Sequence, residues 1–114
     1  MKIRTIKDVD AQPANMAGAK AVKIRVMIGE PEGAPNFIMR HLEIEPGGHT
    51  PYHEHDWEHE VYILKGNGIV VAAGEEKPMK ENSAIFVPGK EKHQFRNTGR
   101  GKMEMLCIIP KEKK

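Results

Sequence analysis

Eleven glycines and eight prolines divide this chain of 114 residues into short runs, and that punctuation limits the possible folds more than any other feature. Within the runs, apolar residues recur at every second position. In "AVKIRVMIG", residues 21–29, the apolar side chains at positions 22, 24, 26 and 28 alternate with Lys23 and Arg25. A period of two is typical of a half-buried strand, and no window shows an apolar stripe at helical spacing. The pattern predicts an all-β sandwich or small barrel, organised as one domain over residues 1–114, with residues 1–20 as a possible N-terminal arm or edge strand.

Further extended runs follow this first strand, and glycine or proline marks most of their ends. The run "NFIMRHLEIEPGG" is predicted to stop at a turn formed by residues 46–48. The run "HEVYILKGNG" is predicted to stop at a hairpin turn formed by residues 66–68. The later runs, "IVVAAGEEKPM", "SAIFVPG", "HQFRNTGRG" and "KMEMLCIIP", complete the set of predicted strands.

Charge and composition exclude several classes of protein. The net charge is +2, and basic and acidic residues are interspersed, so a nucleic-acid partner is not expected. No segment approaches the length of a membrane span, and the N-terminal "MKIRTIKDVD" lacks the apolar core of a signal peptide, so no membrane partner is expected. Cys107 is the single cysteine, which rules out an internal disulfide and favours a reducing, cytoplasmic setting.

The segment "PYHEHDWEHE", residues 51–60, places three histidines close together. If this run stays extended, His53, His55 and His59 point to one side and the intervening acidic residues point to the other. His93 opens a later alternating run, and a barrel that brings this run beside His53 would add a fourth imidazole. Because imidazoles bind Zn, Cu, Ni and Fe well, the spacing indicates a transition-metal site. The alternative is a solvated, salt-bridged strand end.

Two segments resemble the motifs of the cupin superfamily. The first, Gly47–Gly66, is similar to a pattern of a glycine, five residues, H-x-H, three residues, a glutamate, six residues and a glycine. The two glycines, His53 and His55 fall in register with that pattern, and His59 stands where the glutamate is usual.

The second segment, Asn82–Asn97, is similar to a pattern of a glycine, five residues, P-x-G, two residues, a histidine, three residues and an asparagine. The proline, His93 and the closing asparagine fall in register. Two positions depart from the pattern, because Asn82 replaces the opening glycine and the inner glycine is shifted by one place to Gly89.

The resemblance implies a double-stranded β-helix, or jelly roll, in a small single-domain monocupin of the cupin 2 conserved-barrel type. The segments "PNFIMR", "EPGG", "WEHE" and "LCIIPKE" are similar to a subgroup of small monocupins with a four-histidine manganese site. By this resemblance, a divalent transition metal is bound by four side chains: His53, His55, His59 and His93. Manganese is the first expectation, with Fe, Zn, Ni and Cu as alternatives. Cupins commonly pair through exposed strands, which implies a homodimer.

Arg40 and Cys107 are the other candidate pocket residues. Arg40 lies among aliphatic residues, and it either points outward or reaches into the barrel to hold a carboxylate with two hydrogen bonds. Cys107 is either a buried apolar residue or, because the resemblance places the last strand along the barrel, a thiol close to the metal. Trp57 is either a lid or a core anchor, and Glu60 is expected to face away from the ligands.

The donor set indicates what the site would bind. Four neutral imidazoles leave a divalent ion its full charge, so a small anionic ligand is expected to bind more strongly than at a shell with a carboxylate. The leading hypothesis is a small metal-dependent oxygenase or oxidoreductase that acts on a small anionic or aromatic molecule. A non-catalytic module that binds or senses a small molecule is the first alternative. A metal-dependent isomerase is the second, placed last because the pattern offers no inward-facing acid as a base.

Overall fold

The computed structural model describes residues 1–111, and its regular structure is almost all strand. These residues form β1 (Gln12–Pro13), β2 (Lys20–Ile28), β3 (Phe37–His49), β4 (His59–Lys65), β5 (Gly68–Ala72), β6 (Glu75–Met79), β7 (Ala84–Val87), β8 (His93–Arg96) and β9 (Met103–Pro110). Two short 3-10 turns, Ile6–Asp8 and Glu30–Glu32, are the helical segments of this part of the chain. The predicted all-β class is therefore confirmed.

The strands pair in one curled antiparallel sheet with the order β6-β5-β8-β3-β9-β4-β7. Strand β3 is central: it pairs with β9 on one side and with β2 on the other, while its last residue, His49, pairs with Arg96 of β8. The short strand β1 adds to the outer edge of β2, so part of the segment 1–20 is an edge strand. Since β3 joins the two halves of the sheet, side chains from β8 and β9 come to face the same interior.

Alternating apolar residues fill that interior. Strand β9 contributes Met103, Met105 and Cys107, each no more than 2% exposed. Strand β4 contributes Val61 and Ile63, which pack in the same cluster. Burial of such side chains stabilises the fold by roughly 1.5–3 kcal/mol each relative to exposure. The period of two predicted from the sequence is thus the pattern that separates the inner face from the outer face.

The predicted turn at residues 46–48 is wrong. Strand β3 continues through Pro46, Gly47 and Gly48 to His49. Gly47 has a φ angle of 81°, in the left-handed region that glycine adopts at little cost, and this kinks the strand without ending it. Its backbone N–H donates to the Asn97 carbonyl oxygen at 3.1 Å, and the Asn97 N–H donates to the Gly48 carbonyl oxygen at 3.0 Å. The kinked end of β3 is thereby attached to β8.

The predicted hairpin at residues 66–68 is also wrong. Strand β4 pairs with β7 and β9, whereas β5 pairs with β6 and β8, so the two strands flanking this segment are not partners. The segment instead carries the chain from one half of the curled sheet to the other. A true hairpin lies inside the run "IVVAAGEEKPM", where Ala73 and Gly74 both have positive φ angles, 52° and 75°, as a type I′ turn requires.

The alternation predicted for residues 21–29 holds only in part. Val22 is buried, but Val26 is 43% exposed and Ile28 is 40% exposed. The pairing of β2 with β3 changes register between Val26 and Ile28, and a bulge of this kind reverses the side to which the residues after Val26 point, so Met27 is buried and Ile28 is exposed. No helix among the described residues is long and apolar enough to cross a membrane.

Candidate metal centre

The segment between β3 and β4 carries two of the candidate histidines, and it is not the single extended run that the sequence suggested. His53 forms an isolated antiparallel bridge with His93, in which the two N–H groups donate to the opposite carbonyl oxygens at 3.1 and 2.9 Å. The chain then bends at Asp56 and Trp57, and β4 begins at His59. The imidazoles therefore converge because backbone pairing with β8 holds this loop in place, and not because they share one strand face.

The loop after β7 closes on the same segment. The Lys90 N–H donates to the His55 carbonyl oxygen at 2.6 Å. At Gly89, an added Cβ would lie 2.4 Å from the Asp56 carbonyl oxygen, so only glycine permits this approach. Lys90 and Asn82 have φ angles of 66° and 69°, and they occupy the two places where the second motif has glycine. The backbone of the motif is thus present even though these two side chains depart from it.

Three of the predicted ligands lie within reach of one ion. His53, His55 and His93 each offer a ring nitrogen, and these nitrogens all lie within 4.8 Å of one another. The ring centroids of the three residues are 5.1–5.2 Å apart, with the planes at steep angles, so the nitrogens converge without stacking of the rings. Such an arrangement fits a divalent transition metal bound by imidazole.

Backbone carbonyl groups determine which nitrogen two of these residues present. His55 Nδ1 lies 2.8 Å from the Trp57 carbonyl oxygen, and His93 Nδ1 lies 2.8 Å from the Glu91 carbonyl oxygen. A carbonyl oxygen only accepts, so each Nδ1 carries the proton and each Nε2 keeps its lone pair for a metal. Burial lowers the pKa of His55 and of His53 below the usual value, which keeps both imidazoles neutral and able to coordinate.

His59, the fourth predicted ligand, lies beside this group but is not part of it. Its Nε2 is 2.5 Å from His55 Nε2, and its ring centroid is 4.9 Å from that of His93. Its Nδ1 is 2.9 Å from Cys107 Sγ. Burial, followed by the nearby charge of Arg40, lowers the pKa of His59 to about 3, so the imidazole is neutral at physiological pH. Its part in a four-histidine shell stays a proposal.

Arg40 and Cys107 both point into the barrel. The two residues are direct partners across β3 and β9, and Arg40 Nη2 donates to Cys107 Sγ at 3.0 Å. The inward interpretation of Arg40 is therefore the one the structure has. Its Nε is buried and has no hydrogen-bond partner among the described residues. Burial raises the pKa of the Cys107 thiol, and the Arg40 guanidinium opposes that shift.

These groups share one cavity of about 120 Å³. The Trp57 ring stacks on His55 with centroids 4.3 Å apart and planes 6° from parallel, so the indole covers one ligand from outside. Phe95 and Met105 form part of the wall. No aspartate or glutamate belongs to the described lining, and Glu60 is exposed on the opposite side of β4, as expected. The cavity therefore presents imidazole, guanidinium and thiol groups against apolar walls.

Met16 and Thr50 also line the cavity, and the sequence did not identify them. Thr50 Oγ1 accepts a hydrogen bond from the Phe95 N–H at 2.9 Å, which helps to attach the histidine segment to β8. Met16 comes from the N-terminal segment, whose position depends on the pairing of β1 with β2. No local pattern marks either residue, since each reaches the cavity through a contact between distant segments.

Comparison with known proteins agrees with the motifs. The family model of the cupin domain matches residues 40–109. The "Oxalate-binding protein" of Thermotoga maritima is 28% identical over 112 residues, covering 96% of this chain and 93% of that protein. The 1-methylthio-D-xylulose 5-phosphate methylsulfurylase of Rhodospirillum rubrum is 31% identical over 75 residues, and the matched part covers 66% of this chain but only 48% of that protein.

A solved structure shows the same architecture over almost the whole chain. The polyketide cyclase RemF of Streptomyces resistomycificus superposes with a TM-score of 0.92 at 35% identity, covering 98% of this chain and 80% of that one. This likeness confirms the predicted jelly roll. The family match over residues 40–109 includes every imidazole of the cluster, both motifs and most of the central strand β3, and the chain belongs to the cupin family.

Proposed function

We propose that this chain binds a small carboxylic acid beside a divalent transition metal. His53, His55 and His93 would hold the ion, with His59 as a fourth ligand. The observation that carries the proposal is Arg40, a cation that lines the same cavity as the histidines and whose buried Nε has no hydrogen-bond partner within residues 1–111. A bound metal would supply a Lewis acid and an anchor for an anionic group.

The charges in the cavity favour an anion. Arg40 is a permanent cation, and the described lining contains no carboxylate to neutralise it. A guanidinium forms two parallel hydrogen bonds with a carboxylate, and Arg40 Nε is a donor that such a ligand would satisfy. The ligand carboxylate would thus relieve the cost of a buried donor without a partner.

The volume favours an acid of a few heavy atoms. Cavities for drug-sized ligands are typically about 300–1,000 Å³, whereas this cavity measures about 120 Å³. An aromatic substrate of several rings would fit only if the Trp57 side chain moved away from the cavity. The name of the Thermotoga maritima relative, an oxalate-binding protein, supports a small dicarboxylate as the ligand class.

Titration with oxalate tests this proposal. In the metal-loaded protein, Arg40→Met should weaken oxalate binding by at least about tenfold, which corresponds to the loss of about 1.4 kcal/mol. Arg96→Met is the matched control, because Arg96 is 42% exposed on neighbouring β8 and pairs with Glu76 on the surface. Calorimetry should show unchanged oxalate binding in the control, and elemental analysis should show full metal content in both variants. Equal affinity in the two variants would remove Arg40 from the site.

A second candidate function is metal-dependent oxidation of the bound acid, as an oxygenase or oxidoreductase. The all-imidazole donor set supports this class as one option, because imidazole suits redox-active Fe and Cu as well as Zn and Ni. Oxygen uptake by protein reconstituted with manganese, iron or copper, measured with and without the acid, separates this function from binding alone. The isomerase alternative has less support, since the described lining lacks a carboxylate to act as a base.

A further inference from the structure

Two of the four candidate ligands share one kind of hydrogen bond behind the ring, and His59 has a different one. His55 and His93 each direct Nδ1 at a backbone carbonyl oxygen, which leaves Nε2 for the ion. In the described part of the chain, no carbonyl serves His59 in this way; the partner of its Nδ1 is Cys107 Sγ, at 2.9 Å. For His59 to bind a metal through Nε2, its single ring proton must lie on Nδ1, and that proton then needs an acceptor.

We propose that Cys107 is a positioning residue of the metal centre, whose sulfur accepts the Nδ1 proton of His59 and so keeps Nε2 available to the ion. The inference rests on the proposed metal site. It gives the thiol a defined place behind a ligand, rather than the role of a catalytic residue or of an inert apolar side chain. Cys107 and His59 are both buried, 2% and 6% exposed, so this contact has little competition from water.

His93 and His59 each open a strand, and the carbonyl two residues earlier in the chain is the natural acceptor for the ring. For His93 this carbonyl belongs to Glu91 and lies against its Nδ1. For His59 it belongs to Trp57 and already accepts from His55 Nδ1. The acceptor for His59 Nδ1 is therefore a side chain, supplied by the inner face of β9.

Arg40 strengthens the assignment. A guanidinium has donors only, so its contact with Cys107 Sγ at 3.0 Å uses the sulfur as an acceptor. A thiol sulfur has two lone pairs, so it can accept from the guanidinium and from the imidazole at the same time. The close approach of His59 Nε2 to His55 Nε2, 2.5 Å, places the free side of the ring among the other ligands. Arg40, Cys107 and His59 thus form a chain of contacts that ends at the ion.

The experiment compares Cys107→Val, which removes the acceptor, with Cys107→Ser, which keeps a smaller one. Met103→Leu is the control, a buried and volume-conserving change on the same face of β9 that lies outside the cavity lining. Zn²⁺ affinity is measured by competition with a chelator. ¹⁵N NMR of the Zn²⁺-loaded protein reports which nitrogen of His59 carries the proton, and thermal unfolding of the metal-free forms reports general damage.

Loss of a partner behind a metal ligand typically costs about 10- to 100-fold in metal affinity. We expect that loss in Cys107→Val, with partial recovery in Cys107→Ser and no change in Met103→Leu. The His59 proton signal should also leave Nδ1 or broaden in Cys107→Val only. If Cys107→Val does not fold, Cys107→Ala is judged by the same criteria.

Two failures remain distinguishable. If wild-type protein does not bind Zn²⁺, the proposed metal site itself is wrong. If wild-type protein binds Zn²⁺ and the valine or alanine variant matches it in affinity and in the protonation of His59, the metal site stands and the role of Cys107 is overturned. A loss of affinity equal to that in Met103→Leu would likewise reduce Cys107 to a packing residue.

Discussion

The four candidate ligands are held in position by different kinds of contact. Backbone carbonyl groups hold His55 and His93, a backbone bridge holds the segment of His53, and a thiol contacts His59. These restraints come from the loop that carries His53 and His55, from the start of β8 and from strand β9. Removal of one imidazole therefore takes away one donor while the other rings keep their own restraints.

Replacement of His93 tests this arrangement directly. His93→Ala should lower the bound metal content sharply, because it removes the one ligand of the group that comes from β8. His49→Ala is the control, a half-buried histidine at the end of β3 that lies outside the group. Elemental analysis of both proteins, purified without chelators, measures the outcome. Full metal content in His93→Ala would refute the proposed shell.

Among the elements, the loop between β7 and β8 contributes most to the position of the site. Gly89 lies against the Asp56 carbonyl, and the Lys90 N–H holds the His55 carbonyl at 2.6 Å. Lys90 achieves this with a φ angle of 66°, which costs a residue other than glycine roughly 1–2 kcal/mol. The hydrogen bond that holds the histidine segment therefore depends on a strained backbone conformation at Lys90.

Relief of that strain should stabilise the protein. Lys90→Gly is expected to raise the free energy of unfolding by up to about 1 kcal/mol, since the gain at positive φ is partly offset by the greater freedom of glycine in the unfolded chain. Lys92→Gly, at an exposed position of ordinary φ in the same loop, should lower the free energy of unfolding. Urea denaturation of the metal-free proteins compares the two. A destabilised Lys90→Gly would show that the lysine side chain itself matters.

At the scale of the whole molecule, the outer face of the sheet exposes several large apolar side chains. Those on β2, β4 and β7 that are at least 40% exposed include Ile28, Tyr62, Leu64 and Phe86. A cavity of about 470 Å³ lies against this face, and Leu64 and Leu106 are part of its wall. Large apolar patches of this kind mark interaction sites. We propose that a second copy of the chain covers this face, as expected for a homodimer.

Charged substitutions on the outer face should separate the copies. Sedimentation at micromolar concentration is expected to show a dimer for the wild-type chain and a monomer for the double variant Leu64→Asp, Phe86→Asp, because two buried carboxylates would oppose association. Ala73→Asp, in the exposed β5–β6 turn, adds charge elsewhere and should leave the dimer intact. A wild-type monomer would contradict the proposal, and circular dichroism checks that each variant is folded.

The sequence by itself determined the local features. Alternation with a period of two depends on neighbouring residues, and it predicted most of the strands, including the run that forms β9. The residue types that can bind a metal are also a property of the chain, as are the two motifs that indicated a cupin. These inferences held because strand propensity, burial and ligand chemistry act over a few residues.

Only the tertiary structure decided which segments meet. The segment at residues 66–68 looks like a hairpin because its local chemistry is that of a turn, yet its flanking strands find other partners. Cys107 lies 48 positions from His59 and 67 positions from Arg40 along the chain. Its contacts with both depend on the register of β9 against β3 and β4. Register is a collective property of paired strands, since shifting one strand by a single residue turns every side chain to the other face. For that physical reason the chain alone identifies the imidazoles, while the folded sheet decides that a thiol and a guanidinium stand behind one of them.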